Sequence, residues 1–555
     1  MILLLVLWAA FGLMFFIIGV PILYKFKLHD CLPRVEDQLF VAIWLGIIVL
    51  SNLLLLASLF TPLTAYVAMA IVAVLAVPYF LKKPEPVIGS LSITRATGIG
   101  LAIVVLSLAF RTASATISFY DTGLYHYQLV KWLSEYGSVP GLALVHSRFG
   151  FTSSWFALAA PLQVGMFKSH LVAVMNGFIF CLMALQALVA LSRAYDRSAK
   201  LNDWFFILAF VPILQWVPHG LIRSLSPDLA VILLIVVVVW LMITVTLNAP
   251  TTMRDRTTWP GAVVLILALG AVSIKLSVVP LLGVATLYYI FARGFSLRKV
   301  CVAAALAIPF IVTLMSVTTI TSGCPLFPAP YFCTDLLWSV GNTSATAVSK
   351  TIVDWARWSG PTPADANSVN WLWLSWISKE KKVAEILAVN ILCLAWLYFK
   401  RDKIGKELLL YTLLTALTGV IFTMVKGPTL RFGLGFLVVI PAFTVALFLL
   451  ESSRVTSRLT FYLTKFKAPL LFLLTAYITV TLIKNTEYLR NYFLLPGEMK
   501  NGEVLYAQIN NFKYSYPEKG DQCWAAKLPC APGRIGGIDL RDKKVGLAAG
   551  FVKKL

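Results

Sequence analysis

Residues 119–151 read FYDTGLYHYQLVKWLSEYGSVPGLALVHSRFGF, and they interrupt a chain that is otherwise overwhelmingly apolar. Asp121, His126, Lys131, His146 and Arg148 gather in this one stretch, with hydrophobic runs on either side. Ionisable groups at a bilayer boundary cost free energy unless they have partners or a task. Outward of the stretch the composition sets the class. Of 555 residues, 59% are hydrophobic and 13% are charged, and the mean hydropathy is +0.83. A soluble protein of this size does not tolerate that balance.

Many runs reach the roughly 20 apolar residues that cross a hydrocarbon core. They fall near 2–24, 39–60, 62–81, 97–117, 165–192, 203–219, 228–247, 260–276, 277–292, 300–320, 383–399, 407–425, 432–450 and 468–484. The predicted fold is an all-α polytopic membrane protein of about 14 helices. Residues 1–484 make the transmembrane domain, with soluble loops at 118–164 and 321–382. Residues 485–555 make a C-terminal segment. The first run carries no small-residue cleavage site and reads as a retained span.

The formal charge of +22 does not point to nucleic acid, because of where it lies. Seven alternate connections, from Lys25–Arg34 through Arg193–Lys200 to Arg454–Lys467, carry Lys and Arg in clusters. By the positive-inside rule these face the cytoplasm. The loops at 118–164 and 321–382 and the C-terminal segment then face outward. The outer side is expected to be a periplasm or the cell exterior. Cysteine usage agrees. Cys324 and Cys333 share one outer loop, and Cys523 and Cys530 share the tail. Two local disulfides are expected there, as suits an oxidising compartment.

Within the opening stretch, Leu124, Tyr125, Leu129, Trp132, Leu133 and Tyr136 recur at helical spacing, and Gly137 and Pro140 stop the pattern. This predicts a short amphipathic helix on the membrane surface. Asp121 stands at its start, either as a cap or as a general base. His126, Arg148 and Tyr125 are further candidates for substrate contact. In SPDLA (226–230), Asp228 reads as the acid of a helix start after Ser226 and Pro227. It also faces the same compartment as Asp121.

Three cations break the charge pattern. Lys275 lies between two apolar segments with almost no loop to solvate it. Lys426 and Arg431 bracket a Gly-Pro turn between two spans. A cation in such a place snorkels or meets an anion, and a lipid phosphate is one that arginine holds bidentately. The Trp-rich outer loop from 338 to 376 is an aromatic belt or a stacking surface. No phosphate-binding Gly-rich loop, GxGxxG fold or HExxH motif occurs.

This pattern is similar to the GT-C superfamily of integral-membrane glycosyltransferases. The likeness lies in the acid that opens the first long outer loop, the helix after it, and the later outer-face Lys and Arg. A bacterial subgroup of GT-C-like membrane proteins is closer still. The likeness there covers YDTGLYHYQLVKWLSEYGSVPGLALVHSRFGF, SPDLA, SIKLS, SGCPLFPAP, RFG and DQCWAAKLPCAPG, pieces that span nearly the whole chain. The resemblance implies a polyprenyl-phosphate-linked sugar as donor and a glycan, lipid or protein as acceptor. It gives Asp121 the role of catalytic base, and Lys275, Lys426 and Arg431 are then candidates for holding the donor phosphate. Where many members carry two adjacent acids this chain has Asp121-Thr122, so no metal or other cofactor is expected. The alternatives are a glycan transferase of the O-antigen polymerase or ligase type, and a lipid or glycan transporter.

Overall fold

The computed structural model describes residues 1–81, 94–114, 116–217, 219–249, 259–358, 362–366, 370–452, 491–509 and 512–554. The predicted span 468–484 and the basic clusters at Lys82–Lys83, Arg254–Arg256 and Arg454–Lys467 lie outside them. The body is helical: α1 (Ile2–Lys25), α2 (Val35–Ala57), α3 (Ala65–Leu81), α4 (Arg95–Ala113), α5 (Tyr127–Glu135), α6 (Val174–Tyr195), α7 (Leu201–Trp216) and α8 (Pro227–Asn248). There follow α9 (Gly261–Ile274), α10 (Val279–Phe291), α11 (Leu297–Ser322), α12 (Gly341–Trp358), α13 (Lys381–Lys400), α14 (Lys406–Lys426), α15 (Leu430–Leu437) and α16 (Val439–Glu451).

Every other predicted span overlaps one of these helices, except 432–450, which is divided between α15 and α16. Among the described residues, eight stretches are long and apolar enough to cross a membrane, and five more apolar helices are shorter. The chain is therefore a multi-pass helical membrane protein. α8 is apolar all round and almost wholly buried within the bundle, whereas α1, α11 and α13 leave most of their surface uncovered, as lipid-facing helices do. α1 and α2 meet without a gap. A Cβ on Gly19 would fall 1.8 Å from the Ala42 carbonyl oxygen, and one on Gly46 would fall 2.0 Å from that of Phe15. Small residues at such crossings let backbones approach in lipid, where dispersion replaces hydrophobic attraction.

Two elements differ from expectation. α9 and α10 pack side by side as a hairpin, with Lys275 between them. At 14 residues, α9 is about 21 Å long, short of a core of about 30 Å. The tail is not helical: β1 (Val504–Ile509) pairs antiparallel with β2 (Phe512–Pro517), and β3 (Ile538–Leu540) with β4 (Phe551–Lys553). Val504, Ile509, Phe512, Tyr514 and Tyr516 favour extended backbone. Phe551 rests on Phe512 at 5.5 Å and on Trp132 at 6.0 Å, so the sheets are seated on the 118–164 connection. The disulfides Cys324–Cys333 and Cys523–Cys530 are both formed.

Candidate active site

Four separated segments converge on one cluster of charges. Asp228 opens the central helix α8, where Ser226 caps the first turn by accepting the Asp228 N–H. The helix start read from the sequence is therefore real, yet the carboxylate does more than close a turn. It accepts from Lys275 Nζ and from Arg431 Nε. Arg431 also reaches Asp121, with Nη2 2.6 Å from Oδ2. Arg148 Nη1 lies 3.3 Å from the other Asp121 oxygen. Acids and cations thus alternate: Arg148, Asp121, Arg431, Asp228, Lys275.

Each member is fixed by its own segment. Ser153 Oγ donates to the Ile274 carbonyl at 2.7 Å, capping the end of α9 where Lys275 leaves the helix. Asn176 Nδ2 holds the carbonyls of Leu221 and Ser226 at 3.0 Å each, which sets the turn before Asp228. Arg431 is the second residue of α15. The Leu430 N–H donates to Glu380 Oε2 at 3.1 Å, Trp376 Nε1 donates to the Pro428 carbonyl, and the guanidinium lies 5.0 Å from the Phe119 ring.

Asp121 is not a helix cap, for its side chain makes no capping bond. Burial works to raise its carboxyl pKa, but the guanidinium of Arg431, with that of Arg148, outweighs this and holds it below the usual carboxylate range. The helix after it differs from the expected surface helix. A π-helical turn, Thr122–His126, leads into α5, and Gly137, with φ +77°, follows the helix end. α5 is buried on its polar face as well, because Gln128 and Lys131 bond carbonyls of the tail. The tail covers the face that would otherwise meet water.

His126 is fully buried among Phe119, Tyr125 and Phe156. Burial brings its pKa down to about 3, so the ring is neutral. Thr122 Oγ1 accepts the Leu225 N–H at 3.3 Å and lies 3.3 Å from His126 Nδ1. Tyr125 stays a phenol because burial and Asp121 raise its pKa, and Arg148 lies 5.6 Å from its ring. Lys426 is exposed at the end of α14 and joins none of the described ion pairs of the cluster.

Some supporting residues were not singled out from the sequence. Asn176 had a signal, an amide inside an apolar span. Glu380 and Ser153 had none, because only the fold brings them here. Arg193, counted among loop cations, is instead buried in the last turn of α6.

Fold and cluster together define a multi-pass helical membrane protein with a charged, part-exposed site at one end of its bundle. Residues 1–438 match the family described as Domain of unknown function (DUF8201), and the chain belongs to that family. No curated protein and no solved structure matches it.

Proposed function

We propose that the protein is a membrane glycosyltransferase. It moves a sugar from a polyprenyl-phosphate donor to a glycan, lipid or protein acceptor at the periplasmic face of a bacterial inner membrane. The observation that carries this reading is the convergence of Asp121, Asp228, Lys275 and Arg431 from distant segments onto one part-exposed cluster. With Arg148, three cations face two carboxylates, which leaves one positive charge in excess. A sugar phosphodiester carries one negative charge and would neutralise it.

In this reading the donor phosphate lies against the exposed edges of Lys275 and Arg431. Its charge grows as the glycosidic bond breaks, and fixed cations favour that change. Asp228 holds both cations in place. Asp121 takes the proton of the acceptor hydroxyl. A phosphate on Arg431 competes with Asp121 for the guanidinium, which restores basicity to the carboxylate when the donor is bound. Lys426, at the rim, supplies attraction. An apolar cavity of about 320 Å³ between α7, α13 and α16, lined by Pro212, Trp216, Ile386 and Val389, suits the lipid chain. Trp216 and Leu430 pack on the same Trp376–Ile386 cluster, which connects one wall of the cavity to the residue before Arg431.

The test uses the full chain in detergent with a polyprenyl-phosphate-linked hexose and mixed envelope glycans. Wild type should release polyprenyl phosphate and Asp121→Asn should not; equal release by both would remove the central residue. The proposal extends to sidedness, with about 14 membrane-embedded helices, the short α9–α10 hairpin among them, and the tail outside. Reporter fusions at Lys403 and Lys519 should then report opposite sides. The α9–α10 hairpin, too short to span, favours a second reading as a transporter, since such folds break helices around a site. Movement of intact donor across vesicles, without release of polyprenyl phosphate, would select it.

A further inference from the structure

The C-terminal segment lies beyond the 1–438 span of the family match, yet it closes over the turn that carries Asp121. Tyr120 Oη donates to the Asp521 carboxylate, and Gln522 Nε2 donates to the Tyr120 carbonyl at 3.0 Å. The Trp524 N–H donates to the Gly123 carbonyl at 2.9 Å. Gln128 Nε2 donates to the Trp524 carbonyl at 3.0 Å, and Lys131 Nζ to that of Ala526 at 2.6 Å. The 521–526 loop therefore grips the chain on both sides of Asp121.

At the centre of the grip an indole lies on a glycine. A Cβ on Gly123 would fall 2.6 Å from the Trp524 ring, so only glycine admits it. Trp524 itself has φ +46°, a conformation that bulky residues avoid. Strain of this kind persists only where the surroundings over-determine it, and it gathers at functional sites. Here the constraint is visible: the Cys523–Cys530 disulfide precedes Trp524 directly, and the bonds to Gly123 and Gln128 fix its backbone. The gripped turn is π-helical, a rare form that accommodates one extra residue and recurs at functional sites.

We propose that Trp524 is a positioning residue for Asp121. Its indole, seated on Gly123, keeps the Thr122–His126 turn in π register. Relaxation to an α turn would rotate the preceding residue by about 100° around the axis and carry Asp121 away from Arg431. The inference rests on Asp121 being the working carboxylate, and it extends the site to a segment outside the family match.

The experiment compares wild type, Trp524→Ala, Trp524→Phe and Gly123→Ala in the full chain, in detergent, with the same hexose donor. Thermal midpoints and peptide mass spectrometry of Cys523–Cys530 establish that each variant is folded. Two readouts follow: hydrogen exchange of peptides covering 117–127, and kcat apart from KM for the donor. Trp524→Ala should exchange about tenfold faster across 119–126 than wild type, and its kcat should fall about 10²-fold with KM for the donor unchanged. Trp524→Phe, which keeps a ring on Gly123, should recover part of both. Gly123→Ala, which expels the ring, should match Trp524→Ala even if the latter folds poorly. Wild-type exchange and kcat in folded Trp524→Ala and Gly123→Ala overturn the proposal while Asp121→Asn remains inactive. A fully active Asp121→Asn instead removes the glycosyltransferase reading, and the exchange data alone then decide whether Trp524 holds the turn.

Discussion

α6 carries Asn176 near its start and Arg193 near its end, about 26 Å apart along the axis, and each end serves a charged cluster of opposite character. At the far end Arg193 bonds Asp37 at 3.0 Å and Asp203 at 2.8 Å, with Glu36 at 3.7 Å. Gln186 donates to Asp37 at 2.7 Å, and Arg34 lies 2.9 Å from Asp203. Arg193 and Asp203 are each 1% exposed. Three carboxylates face two guanidiniums, and no edge of Arg193 is left for a ligand. At the near end the balance reverses. Three cations face two carboxylates, and Arg431 and Lys275 are 27% and 25% exposed. The same side-chain chemistry makes a pin where it is dry and saturated, and a candidate binding site where cations are in excess and meet solvent.

The largest expected contrast is in turnover. Asp121→Asn keeps the shape of the side chain but removes the basic carboxylate, and should lower kcat by a factor on the order of 10²–10⁴. Asp37→Asn, at the closed end, should leave the kcat of folded protein near wild type. Equal losses in both would erase the distinction between the clusters. Stability should show the converse. Arg193→Leu strands buried carboxylates, and removal of one partner from such a network costs about 3–5 kcal/mol. Arg431→Leu, at the more open end, should cost less, and thermal unfolding in detergent ranks the two.

Acid sensitivity sharpens the comparison. His126 and His146 are kept neutral by burial, with pKa values of about 3 and about 4, against about 6.5 in an unfolded chain. Between these values the unfolded chain binds more protons than the folded one. Stability should therefore fall as pH drops from about 6.5 towards 4, by at most about 1.4 kcal/mol per pH unit for each histidine. Asp121, depressed below its usual range, keeps its charge and its ion pairs through this window. His126→Phe should flatten the slope of thermal midpoint against pH; an unchanged slope would mean that another group sets it. The smallest effects should separate the cations. Arg431→Lys keeps charge but loses the planar fork and should weaken donor use by about tenfold, roughly 1.4 kcal/mol. Lys426→Ala, outside the described ion pairs, should change it by less.

The sequence by itself determined the helical membrane class, because apolar runs of spanning length leave few other folds. It also marked Asp121, Asp228, Lys275 and Arg431 one by one, since a charge beside an apolar span is conspicuous wherever it lies. It could not pair them. Lys275 and Arg431 read as cations waiting for a phosphate, and the tertiary structure gives both of them Asp228, 47 and 203 positions away in the chain. Arg193 read as a loop cation, and only the packing of α2, α6 and α7 shows it to be a buried pin. The tail's grip on Gly123 was likewise invisible, because a contact across about four hundred residues leaves no periodicity to read. Local chemistry and hydropathy are written along the chain; which charges neutralise each other, and which remain exposed to bind, is set by where the helices bring them in space.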